Sequence, residues 1–184
     1  MSFQVLHVGD RGDASPTGWD FLYSAASGVW DFAAAGLDAP GNAGGLSARY
    51  PIETAIAIQI LTEARARDED RVPAEVTDRR GWAGDLYGLD EERGEGELGS
   101  RLWTLQHWPR TEATLRRAEA LAVEALDTLR RQGVAARIIA AAEWAGADRL
   151  DLGITVTSPA GGSYTRRFAI LWEVVGGAQH SLTR

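Results

Sequence analysis

The stretch DRRGWAGD, Asp78 to Asp85, places two carboxylates, two adjacent arginines, two glycines and a tryptophan within eight positions. Such a set could serve glycoside hydrolysis, which needs two carboxylates about 5–10 Å apart, one of them holding its proton through a raised pKa. Asp78 and Asp85 flank Trp82 as a sugar site would. The adjoining arginines weigh against it, because a guanidinium lowers a neighbouring carboxyl's pKa and spoils the acid role. The same residues have an architectural reading. Gly81 and Gly84 permit backbone angles closed to other residues. Arg79 or Arg80 can fork onto a carboxylate of this chain or of another. Trp82 offers a broad anchor for the loop or for a partner. Sequence alone leaves an internal clamp and an interface clamp both open.

Other motifs carry less chemistry. Gly94 to Gly99, GEGELG, matches the G-x-G-x-x-G pattern. That fingerprint needs a strand before it, a helix after it and a βαβ unit around it. Here an acidic loop precedes it and two glutamates inside it would repel phosphate, so it reads as a flexible loop. Arg11-Gly12-Asp13 spells an adhesion tripeptide that arises readily by chance. His7, His107 and His180 are far apart, with neither H-x-x-x-H nor H-E-x-x-H spacing. No G-x-S-x-G elbow occurs.

Composition narrows the classes. The 184 residues carry a net charge of −7 and no concentrated basic run. A nucleic-acid or anionic-membrane partner is therefore disfavoured. No cysteine is present, which excludes disulfides, thiolate catalysis and cysteine zinc sites. No run approaches the roughly 20 apolar residues that span a bilayer. The start, MSFQVLHVGDRGD, has no basic segment followed by an apolar one and reads as no signal peptide. Seven tryptophans are many for this length. Tryptophan is enriched at protein interfaces, which pulls toward an interaction protein.

The elements that must position these residues follow from periodicity. Residues 1–27 read as an arm with short strands, 28–32 as a strand, and DAPGNAGG, Asp38 to Gly45, as a loop. Pro51 to Ala66 reads as a helix with proline in its first turn and Ile52, Ile56 and Ile60 on one face. Asp68-Glu69-Asp70 is expected to end it in solvent. Asp90 to Glu97 holds five acids against one arginine and reads as an exposed loop. Ser100 is expected to cap a short helix to His107, stopped by Pro109. Thr111 is expected to cap a long helix to Gln132, with Leu115, Ala118, Leu121, Ala122, Ala125, Leu126 and Leu129 as its apolar stripe. Gly133 suits the residue after its end.

The remainder alternates. Val134, Ala136, Ile138, Ala140, Ala142 and Trp144 share one face. Leu150, Leu152, Ile154 and Val156 form a second strand face. After the SPAGGS turn, Phe168, Ile170, Trp172 and Val174 form a third. This predicts a three-stranded antiparallel meander packed on the long helix, an α+β fold. The expected organisation is an arm over 1–27, a single domain over 28–175 and a tail over 176–184.

The order of these segments carries a resemblance. IETAIAIQILTEARA is followed by DRRGWAGD, then LGSRLWTL, then a helix with RAEALAVEAL, a strand ending in AEW and a strand with RFAILWE. This order resembles the Mu-like phage baseplate protein family, wedge proteins of contractile tails similar in type to the sheath-initiating proteins of other contractile phages. It covers about Trp30 to Val175, and DRRGW with GSRLW downstream is its specific part. The family often carries a second aromatic where this chain has Ala83, and a TDRRA-like helix end where this chain has TEARA.

The resemblance implies a structural role with no catalysis and no cofactor. It implies several copies in a ring, six by the resemblance, in the tail baseplate, assembled in the host cytoplasm. The partners would be other wedge proteins and the tail sheath protein, with no nucleic acid or membrane. Asp78, Arg79, Arg80, Trp82 and Asp85 would form the assembly or structural clamp, supported by Arg101 and Trp103. The alternatives are a peptidoglycan-acting carbohydrate hydrolase of the tail and a bacterial protein that shares only the fold.

Overall fold

The second strand of the expected meander buries every residue on one face. Leu150, Leu152, Ile154 and Val156 are each fully buried. The structure, a computed structural model, describes residues 51–72, 77–82, 84–85, 87–106, 108–146 and 149–171, and the backbone of 5–7, 21–24 and 29–32. Two short strands pair as an antiparallel hairpin, β2 (Phe21–Ser24) with β3 (Val29–Phe32). The main sheet combines β4 (Arg137–Trp144), β5 (Arg149–Thr157), β6 (Ser163–Leu171) and an N-terminal strand, β1 (Val5–His7). Its order is β1-β6-β5-β4 and all its pairs are antiparallel. The meander is therefore as expected, but the sheet has a fourth strand. Residues 5–7 come from the arm and cover the outer edge of β6, with Leu6 opposite Ala169. Three residues give no usable alternation, so the sequence could not announce that pairing.

One face of this sheet carries the core. Phe168 and Ile170 join the β5 residues there, and Ile138, Ala140, Ala142 and Trp144 of β4 pack at its margin. Ala136, expected on the same face, is exposed, because β4 begins one residue later and Ala135 is the buried residue at its entry. Helix α2 (Glu112–Ala125) and the short α3 (Asp127–Arg131) lay the stripe from Leu115 to Leu129 on this face, and all seven stripe residues are buried. Each buried leucine or isoleucine contributes roughly 1.5–3 kcal/mol relative to leaving it in water. Thr111 caps α2, its side-chain oxygen accepting from the Thr114 N–H at 3.3 Å. The single long helix expected to Gln132 is instead broken at Leu126, whose ψ is 0°, before α3 resumes.

Helix α1 (Pro51–Leu61) adds Ile56 and Ile60 to the core beside Leu102 and Leu105. It ends five residues before the expected Ala66, because the backbone beyond Leu61 has other partners. The Ser100 N–H donates to Thr62 O at 2.8 Å, the Ala64 N–H to Ser100 O at 3.0 Å and the Ala66 N–H to Arg79 O at 2.9 Å. Ser100, expected as a helix cap, is buried, with its hydroxyl on Ile60 O at 3.0 Å. The segment after it is a single 3-10 turn, Leu102–Leu105, and a second 3-10 turn spans Glu91–Arg93 inside the acidic loop. No helix among the described residues is long and apolar enough to cross a membrane. His107, the 38–45 loop, Trp172, Val174 and the 176–184 tail lie outside the described residues.

Candidate functional site

The DRRGWAGD segment lies against the residues that follow α1. Asp78 accepts the Arg80 N–H at 2.9 Å, a side-chain turn of the kind Asp favours. That turn carries Arg80 into the left-handed region at φ 53°, with Gly81 at φ 92° behind it. A Cβ on Gly81 would sit 2.8 Å from Arg65 Cβ, so only glycine permits this close approach. Arg79 donates to two main-chain carbonyls, Arg67 O and, at 3.3 Å, Asp68 O. Arg80 pairs with the Glu63 carboxylate and stacks its guanidinium 4.6 Å from the centre of the Trp103 ring. Trp103 is buried and its indole N–H donates to Ala64 O at 2.8 Å. Asp85 reaches forward and accepts the Leu98 N–H at 3.0 Å.

Beneath this layer sits a buried ionic network centred on Arg101. Its side chain is 4% exposed and lies between Asp70, 3% exposed, and Glu124. It contacts Glu124 in a forked pair at 2.8 and 2.6 Å. Arg117 reaches the second Asp70 oxygen at 3.2 Å, and Arg67 shares the Glu124 Oε1 with Arg101. Burial pushes the Asp70 carboxyl up. Its hydrogen bonds from Arg101 and the Arg67 N–H, with the charges of Arg101 and Arg117, outweigh that and hold it below the usual carboxylate value. Burial likewise disfavours the Arg101 charge, and Asp70 and Glu124 overcome this to hold its pKa above the usual arginine value. The expectation that Asp68-Glu69-Asp70 ends the first helix in solvent fails at Asp70.

Most residues around Arg101 were not legible. Arg117 and Glu124 stand seven positions apart on α2, hence on one helix face, a spacing that could have paired them with a buried charge. Asp70 hid inside an acidic run, and Glu63 gave no signal at all.

The arrangement binds backbone and counter-ions. It sets up no acid and nucleophile pair, since Asp78 and Asp85 each hold a main-chain amide. The G-x-G-x-x-G run serves close packing. Gly94 closes the first 3-10 turn, and a Cβ on Gly99, at φ 100°, would sit 2.6 Å from Thr62 O. No strand leads into it and only a 3-10 turn follows, so the phosphate-cradling context is missing.

Trp82 is different from the rest of the segment. It is 61% exposed, and Tyr87 nearby is 93% exposed. Together with Ile58, Leu89, Leu98 and Leu129 they line a groove of about 350 Å³ between α1, α3 and the loop.

The family model of Phage protein GP46 matches residues 52–163, a span that contains every residue of this site. The chain belongs to the phage GP46 family. A curated relative in that family, baseplate protein gp46 of Escherichia phage Mu, is 38% identical over 110 residues. The match covers 60% of this chain and 72% of the relative. The Mu-like baseplate resemblance read from DRRGW and GSRLW is thus the family that the comparison finds. No solved structure matches the chain.

Proposed function

We propose that this protein is a structural component of a contractile phage tail baseplate, or of a phage-derived tail, and that it acts without catalysis. The observation that carries this reading is the family match, which spans both the ionic network and the exposed aromatic lip. At a finer level the protein joins wedge subunits and helps to initiate the sheath, in several copies around the ring. Two features support that role. Trp82 and Tyr87, residue types that dominate protein interfaces, remain outside while the arginines beside them are occupied internally. Among the described residues of the four-stranded sheet, β1 covers the β6 side and no strand pairs with the far side of β4, so β4 can accept an added strand, although Glu119 already holds its Ala142 N–H at 2.9 Å. The DRRGWAGD residues then act as both kinds of clamp: Arg79, Arg80 and Asp85 hold the loop, and Trp82 holds a partner.

The test is a tagged pull-down during tail production, read by mass spectrometry. Recovery of wedge and sheath subunits in fixed ratio is expected. Recovery of the chain alone, under conditions where tails form, contradicts the reading. The hydrolase alternative is checked by a cell-wall turbidity assay with Asp85→Asn as control. No clearing is expected from either protein.

A further inference from the structure

The groove beside Trp82 has a lining that selects one kind of occupant. Its apolar wall is built from Ala55 and Ile58 of α1, Leu89 and Leu98 of the loop, and Leu129 of α3. Several polar side chains among them already have partners within the chain. Gln59 accepts the Gly99 N–H at 2.8 Å and donates to Thr128, Asp85 accepts the Leu98 N–H, and Glu95 accepts the Asp90 N–H at 2.9 Å. Gln132, the Tyr87 hydroxyl and the Trp82 indole N–H remain at the edge of the groove, and a large apolar side chain meets the aliphatic surface between them. The volume, about 350 Å³, is at the lower end of ligand-site sizes, about 300–1,000 Å³.

The surroundings add a charge. Next to the groove lies a second cleft that shares Leu89, Glu95, Gly96 and Thr128 with it and is also lined by Glu91 and Glu97. Its three arginines each have a carboxylate partner: Arg101 has Asp70 and Glu124, Arg67 has Glu124, and Arg131 has Asp127, which Arg130 shares. Glu91, Glu92 and Glu97 are exposed and form no ion pair among the described residues. The uncompensated charge at this rim is therefore negative.

We infer that the groove takes a large apolar anchor from a partner protein segment that carries Lys or Arg beside the anchor. Trp82 and Tyr87 close over the anchor, and Glu91, Glu92 and Glu97 meet the basic residues. The inference rests on the assembly reading proposed above and adds the docking site and the chemistry of the partner. Apolar burial supplies affinity at such a site, and rim charges mainly set selection and association rate.

The experiment places the photo-crosslinking residue benzoylphenylalanine at position 87 of the full chain, in cells producing tails. The nearly complete exposure of Tyr87 lets the fold tolerate it. A control carries the same residue at the exposed Ala113, at the start of α2. Adducts are recovered from the whole lysate and mapped by mass spectrometry. The expected adduct joins position 87 to a segment with Lys or Arg within one helical turn of a large apolar residue. Its yield should fall about tenfold in the Glu91→Lys, Glu97→Lys double variant, whose changes lie on exposed side chains. A yield that ignores the charge reversal overturns the inference. So do an adduct with a cell-wall sugar, an adduct with a second copy of this chain, and the absence of any adduct above the Ala113 control. Recovery of the tagged chain with tails is scored separately, so the assembly reading can stand while the groove assignment falls.

Discussion

Arg101 and Trp82 both lie in the span of the family match, and one is buried while the other is exposed. Arg101 is buried between two carboxylates with its charge fully answered. Trp82 projects a large apolar ring into solvent beside a groove that nothing among the described residues fills. An ordinary stability argument explains the first, since a buried charge persists only when paired and hydrogen-bonded. It does not explain the second, because an exposed tryptophan adds little to the isolated fold. The contrast divides the motif into a part that holds the chain in shape and a part that is available to a partner.

The largest effect should come from breaking the inner region. Arg101→Ala leaves the Asp70 carboxylate buried with Arg117 as its one remaining counter-ion among the described residues and is expected to cost about 3–5 kcal/mol in denaturant unfolding. If the variant is as stable as wild type, the network does not hold the fold. The same region should respond to acid. Because Asp70's folded-state pKa lies below its ordinary value of 3.8, its contribution is complete above that value and lost as pH falls through the folded-state value. The stability gap between wild type and Asp70→Asn should therefore be constant above about pH 5 and shrink on acidification below it. A gap that widens in acid contradicts the sign.

The loop between the two regions should give intermediate effects. Gly99→Ala puts a Cβ against Thr62 O at a positive φ and is expected to cost more than about 1 kcal/mol. Arg80 loses a stacking contact and an ion pair on truncation, together about 1 kcal/mol. Its left-handed backbone sharpens the test, because glycine is relaxed there and alanine is not. Arg80→Gly should be the milder variant despite having no side chain. A reversed order in thermal melts would show that the contacts matter more than the backbone. The smallest stability effect belongs to the outer region, where Trp82→Ala should stay within about 0.5 kcal/mol of wild type.

The sequence made the outer elements of the fold readable where apolar residues recur on a regular period. The α2 stripe, the Thr111 cap and the alternation of β5 are all where periodicity places them. It misled where tertiary partners override local pattern. The chain after Leu61 keeps a helical composition, but Ala64 and Ala66 donate their N–H groups to Ser100 O and Arg79 O, and Thr62 O accepts the Ser100 N–H. Charge pairing was legible only on one side. DRRGWAGD and GSRLW mark Arg80 and Arg101 as unusual, yet their counter-ions, Glu63 and Asp70, sit among ordinary surface-like acids. Nothing in a single acidic residue shows that a distant arginine will bury it.

The most direct test of this division is incorporation of Trp82→Ala into tails, measured beside its melting curve. The variant is expected to be soluble, to melt essentially as wild type and to be absent from purified tails. Wild-type incorporation would contradict that division and leave Trp82 without an assembly role.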